Sequence, residues 1–376
     1  MKLKLYVILS IILVFSGCDD DVILNPSDEI SSLPVMEFHI DEEDLLALRS
    51  NKANSLNVPV RVVYKNKSYL GMVQAQGAGS RLHPKWAYKV ELNEGKTIED
   101  LSVFNLSAQV YDKTLLKTTV TSAIYKELGF PTFKNKHVFL KINNRDEGLY
   151  PLIERIEQPF FDRRNLPVTE LFKLGFGSKF TLAGTYNPQF YFSKEIPDDE
   201  NYNSLIEFIH AIDTCNSENV YSSLESWLDV HNYLEYHAIT SLINNFDAFR
   251  NNFFLHKESG PAPFKIIPWD FDKSFYYEDE VGIYGENEII LKLLQNDQVV
   301  EEYKNKVKYL LSTVFTKKYI FPIIDSTASV IRDGYNIDPY LGAGRYNFEE
   351  EINALKQFIS ERRQFFINNI DSFEGE

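Results

Sequence analysis

Cysteine is nearly absent from this chain of 376 residues: there are two, Cys18 and Cys215, too few for a disulfide framework or a cysteine-based zinc site. The seven histidines include no HExxH pair, and His231 and His237 stand six apart where ligands on one helical face need about four. No GxSxG nucleophile elbow occurs. Basic charge is also short, 39 Lys and Arg against 54 Asp and Glu, and a net charge of −15 argues against a nucleic-acid partner. The apolar run Leu5–Phe15 is too short to span a bilayer, and no internal repeat is visible.

Aromatic residues are abundant, with 28 Phe and 22 Tyr, so stability is expected from packing. Lys2 and Lys4 precede the apolar run, which ends in Ser16-Gly17-Cys18, the pattern of a lipoprotein signal peptide. Residues 1–17 would be removed, Cys18 lipidated, and the net charge would move from −15 to −17 as the two lysines leave. Residues 18–33 read as a polar tether. Asp19, Asp20 and Asp21 resemble the acidic export tag of surface lipoproteins. The expected location is extracytoplasmic, anchored by acyl chains to the outer membrane or cell surface.

Periodicity divides the remainder in two. Asp41 can cap a helix through Leu48; Val58–Tyr64 with Ser68–Gln74, and His137–Ile142 with Leu149–Ile153, read as hairpins, and Ala87–Leu92 as a further strand. Asp112 can cap a helix to about Leu128. Later segments, Asn203–Ile212, Leu224–Asn244, Glu288–Leu294, Val299–Val314 and Phe348–Ile370, have helical spacing. The expectation is an α+β fold of two lobes, a strand-rich N-lobe over 34–165 and a helical C-lobe over 203–376, joined by hinge and loops over 166–202.

The chemistry concentrates in FDAFRNNFFLHKESGPAPFKIIPWDFD, residues 246–272. Asp247 precedes Asn252 by five residues, the interval at which a kinase catalytic loop sets its base and a metal-binding amide. Asn251 is the competing register. Asp270 ends the apolar run containing Phe264, Ile266, Ile267 and Trp269, and Asp272 follows, so carboxylates emerge where a hard cation would need oxygen ligands. Lys89, central in AYKVEL, offers a positive charge to phosphate; Lys85 and Arg81 compete with it. Gly77, Gly79 and Ser80 form a loop whose backbone N–H groups could approach phosphates, although an ordinary hairpin turn has the same composition. Glu154, with Glu127 as rival, could pair with Lys89 or reach a metal.

The ordered set GAGSR, PKWAYKVEL, HVFLKINNRDEGLYPLIERI, LFK, NNFDAFRNN and IPWDFD, across roughly residues 57–275, resembles the CotH kinase family of spore-coat-protein-H-like atypical protein kinases. The resemblance implies a divergent bilobal kinase-like fold, use of ATP with Mg²⁺ or Mn²⁺, and phosphorylation of Ser or Thr on protein substrates. It makes Asp247 the catalytic base, Asp270 and Asn252 metal ligands with Asp272 as a less certain one, and Lys89 the phosphate-pairing lysine. A glycosidase pairing of Asp247 with Asp270 leaves Asn252 and Lys89 without a role. The rival from another class is a catalytically idle, kinase-like surface adhesin. Cys18→Ser is expected to release the protein from the membrane fraction, as followed by fractionation and immunoblotting; retention of the unprocessed chain would make Leu5–Phe15 the anchor instead.

Overall fold

The computed structural model describes residues 29–30, 33–50, 56–77, 80–277 and 281–375. Cys18 and Asp19–Asp21 lie outside these, as does Gly79. Strands β1 (Glu29–Ile30), β2 (Leu33–His39), β3 (Asn57–Tyr64), β4 (Lys67–Gln76), β5 (Ala87–Leu92), β6 (Val103–Leu106), β7 (Asn135–Ile142) and β8 (Arg145–Glu154) share one sheet in the order β1-β2-β3-β4-β5-β6-β8-β7. Because β7 also pairs in parallel with β2, from Val35 opposite Phe139 to Phe38 opposite Ile142, strands β2 to β8 close into a seven-stranded barrel.

Alternation builds the barrel interior: Val58, Val60, Val62 and Tyr64 of β3 point inward against Val73, Tyr88, Val90 and Phe104. Two-residue turns set the register of its hairpins. Lys65-Asn66 and Asn143-Asn144 all have positive φ, between 48° and 64°, the backbone hand that matches strand twist.

Helix α1 (Glu42–Ser50) follows β2, and α2 (Lys117–Glu127) follows β6. The helix expected to be capped by Asp112 therefore starts later, with Leu116 at its N-cap. Leu115 takes a positive φ of 56°, and the Asp112 carboxylate instead accepts the N–H groups of Thr114 and Lys117. After α3 (Gln158–Arg164) a second sheet begins, made of β9 (Glu170–Leu174), β10 (Phe192–Ile196), β11 (Phe253–Lys257) and β12 (Lys265–Pro268) in the order β10-β9-β11-β12. Two of its strands come from the stretch read as hinge and loops, and all four fall outside the strand-rich first half, so the division into strands and then helices is incomplete. The helices are α4 (Leu182–Thr185), α5 (Asn203–Thr214), α6 (Val220–Leu224), α7 (Val230–Leu242), α8 (Glu288–Leu293), α9 (Asp297–Ser312), α10 (Lys317–Ile337), α11 (Gly342–Arg345) and α12 (Phe348–Asn369). The single helix expected over Leu224–Asn244 is broken at Asp229, which caps α7 by accepting Asn232 N–H at 3.0 Å. Helix α10 is absent from the expected helices; Pro322, a helix-stop signal in sequence, lies inside it.

One buried ion pair ties α10 to the barrel. Asp338, at the C-terminus of α10, accepts Lys85 Nζ at 2.8 Å and Leu149 N–H at 2.7 Å through one oxygen, and Tyr340 and Leu341 N–H through the other. Gly148, at φ 99°, is required here, since a Cβ would lie 2.3 Å from the Asp338 carboxylate. Asp338→Ala leaves a buried ammonium and a buried N–H without their acceptor and should cost roughly 3–5 kcal/mol, read from the urea midpoint. A loss below about 1 kcal/mol would mean that water or another carboxylate replaces Asp338.

Candidate functional site

A cleft of about 620 Å³ runs between the barrel and the second sheet, lined by Gln76, Gly77, Ala87 and Asn105 on one side and Asp247, Trp269, Asp270, Asp272 and Lys273 on the other. The lower wall follows from how α7 ends. Asn244 turns the chain with φ 52°, donates to Tyr276 O and accepts Val281 N–H, so residues 245–252 are held as an irregular loop. Tyr236 Oη donates to Ala248 O at 2.6 Å, and Asn287 Nδ2 donates to Phe249 O at 2.6 Å, pinning that loop from below.

Asp247 projects from the loop and accepts Asn252 Nδ2 and Lys273 Nζ, both at 2.9 Å. The five-residue interval thus becomes a direct hydrogen bond. Its donation through nitrogen leaves the Asn252 amide oxygen as a ligand for a cation. Asn252 itself has φ 61°, and its carbonyl accepts Trp269 N–H at 3.1 Å, bringing the start of β11 beside the end of β12. Asp270 follows with φ 55°, a left-handed turn that aims the chain out of the sheet.

Like charge crowds this site. Burial, then the neighbouring Asp247, push the Asp270 carboxyl above its ordinary range, against the pull of Lys173 and Lys273. Burial and Asp270 push Asp272 well above its own, with Lys117 and Lys273 opposing. Burial works against the Lys273 ammonium, but its hydrogen bond to Asp247 and the charges of Asp247 and Asp272 outweigh that and raise its pKa. Two crowded carboxylates and an amide oxygen suit a hard divalent ion that also takes oxygens from a bound phosphate. No group of three or more His, Cys, Asp or Glu with metal-site geometry occurs among the described residues, so a protein-only cage is not present there.

Other expected residues are placed elsewhere. Lys85 is buried against Asp338 and Leu149 O and does not reach the cleft. Glu154 is fully buried by Arg163, Arg164 and the Lys134 N–H, so it pairs with neither Lys89 nor a metal. Its rival Glu127 is exposed at the end of α2. Arg81 folds back on Gly77, donating from Nε to its carbonyl at 3.1 Å, in the short turn that Ser80 begins. Lys89 lies on β5 two residues from Ala87 but outside the cleft lining, 3.8 Å from Glu91. Gly77 does line the cleft. Sequence reasoning missed Lys273, Lys173, Arg155 and Gln109, all in the lining; adjacency of Lys273 to Asp272 was the one available signal.

A model of the family described as CotH kinase protein matches residues 73–366, well over half of the chain. The chain belongs to the CotH kinase family. The match extends beyond the roughly 57–275 recognised by motif and takes in most of the C-terminal helices. Inner spore coat protein H of Bacillus subtilis (strain 168) is 24% identical over 357 residues, covering 90% of this chain and 98% of that protein. Among solved structures, the Helicobacter pylori proinflammatory kinase CtkA aligns over 76% of this chain and 93% of its own, at 11% identity and a TM-score of 0.38. The Shewanella oneidensis MR-1 toxin–antitoxin complex of HipA, HipB and operator DNA aligns over 89% of this chain and 81% of the matched one, at 11% identity and a TM-score of 0.40.

Repulsion at the CotH site has a measurable consequence. With its pKa raised above 3.8, folded Asp272 holds a proton more tightly than the unfolded chain does. Its unfavourable contribution therefore grows as pH rises above 3.8 and is largest at neutral pH. Asp272→Asn should raise the melting temperature of the ligand-free protein at neutral pH and leave it unchanged well below 3.8. A shift of equal size at both pH values would exclude charge repulsion as its cause.

Proposed function

We propose that this CotH-family chain is an ATP-dependent phosphotransferase that moves the γ-phosphoryl group to a Ser or Thr hydroxyl of surface or secreted proteins, with Mg²⁺ or Mn²⁺. The observation that carries this reading is Asp247, bonded to both Asn252 and Lys273, in one cleft with Asp270 and Asp272. The acceptor oxygen attacks the γ-phosphorus, the bond to the departing ADP oxygen breaks, and the hydroxyl proton passes to the Asp247 carboxylate. Lys273 fixes the orientation of that carboxylate and balances its charge. Asp270, the Asn252 amide oxygen and Asp272 would hold the metal, which supplies charge neutralisation for the phosphate oxygens. Among the described residues no helix is long and apolar enough to cross a membrane; the proposed surface attachment rests on Cys18.

The adhesin reading is favoured by one feature, the exposed side chains of Phe176, Tyr186 and Phe190 in residues 176–190, at 92%, 83% and 76% exposure. Transfer of labelled γ-phosphate to the protein itself and to a surface-protein extract separates the two. Asp247→Asn should lower turnover roughly 10²–10⁴-fold while ATP binding persists. Asp270→Ala should also weaken metal-dependent ATP binding. No transfer by the wild type with either metal would favour the adhesin.

A further inference from the structure

We infer that Lys173, at the centre of the second sheet, is the lysine that contacts the polyphosphate of the bound nucleotide. This rests on the phosphotransferase reading and names a residue that the motif comparison left without a role. Strand β9 sets Lys173 opposite Phe254 of β11, two residues beyond Asn252, and opposite Ser193 of β10. Its neighbours Phe172 and Leu174 are buried, whereas Lys173 is half-buried and lines the cleft with Asp247, Asp270 and Asp272.

The other two cations that line the cleft, Arg155 and Lys273, are committed, as are Lys117 and Lys89 beside it. Lys273 is bonded to Asp247; Arg155 donates to Glu157 and Asn105; Lys117 donates to the carbonyls of Tyr111 and Asp272; Lys89 faces Glu91. The Lys173 ammonium has no hydrogen-bond partner and no carboxylate within ion-pair distance among the described residues. Its ammonium lies 5.9 Å from the ring centroids of both Phe254 and Trp269. That is the outer end of the cation–π range, so the rings support the stem more than they satisfy the charge. An ammonium with three free donors beside a cleft that already holds Asp247, Asp270 and Asp272 is suited to an anionic oxygen from a ligand.

The competing role is neutralisation of Asp270, and it predicts the opposite sign. Removing a cation that only offsets Asp270 leaves the acid site more negative, so the divalent metal and its ATP complex should bind at least as tightly. Removing a phosphate contact should weaken ATP. Calorimetric titration of the purified full chain with ATP and Mg²⁺ decides between them, using Lys173→Gln, Lys173→Arg and wild type, with Mn²⁺ alone as a second titrant. Expected are about a 10- to 100-fold rise in the ATP Kd for Lys173→Gln, little change for Lys173→Arg, and Mn²⁺ affinity retained in both. Unchanged or tighter ATP binding by Lys173→Gln overturns the inference while leaving the phosphotransferase reading intact, as does equal weakening in the Arg variant. Absence of ATP binding by the wild type overturns both.

Discussion

Electrostatic crowding at the end of β12 is the constraint around which the site is arranged. Three carboxyls, Asp247, Asp270 and Asp272, share a cleft in which burial and like charge disfavour the charged forms of Asp270 and Asp272. Lysines oppose that repulsion from different elements: Lys273 from the same loop, Lys117 from the first turn of α2, and Lys173 from β9. A protein selected for stability alone would dilute such a cluster. The proposed binding of a divalent cation together with a polyphosphate would give such a cluster a use, because those ligands would balance its charge.

Holding repelling groups in place demands a rigid support, and the fold supplies it by closing on itself. The parallel pairing of β7 with β2 leaves the barrel without an open edge along those strands, so the upper wall of the cleft is part of a continuous hydrogen-bonded surface. The buried Asp338–Lys85 pair then fixes α10 to the β8 end of that barrel. Below, Tyr236 of α7 and Asn287 at the start of α8 bind the backbone of the Asp247 loop, and Asn244, just after α7, binds Tyr276 O and Val281 N–H. Each of these anchors uses a buried polar side chain with a backbone partner, which determines position more sharply than apolar packing does.

Lysine and glutamate roles were the least legible part of the chain. Lys85, Lys89 and Lys173 each sit in or beside a strand, and alternation says only which face a residue takes. What a lysine meets on that face depends on strands far away in sequence: Lys85 meets Asp338, 253 residues on, while Lys173 meets the Phe254 and Trp269 rings. Glu154 looked available at a strand end, yet α3 turns Arg163 and Arg164 back onto it. The five residues of strand β9 likewise carry no sustained alternation, and their pairing with β10 and β11 comes from sheet formation.

What local sequence determined was every feature enforced by near neighbours. The paired Asn and Lys turns set the hairpins, and the five-residue interval from Asp247 to Asn252 closed a hydrogen bond within one loop. The apolar run before Asp270 made the strand that delivers it to the cleft mouth. Only tertiary structure decided the closure of the barrel and which lysine faces the acids. Both depend on contacts between residues far apart in the chain, Val35 with Phe139 and Lys173 with Phe254, where the chain's periodicity carries no information about the partner.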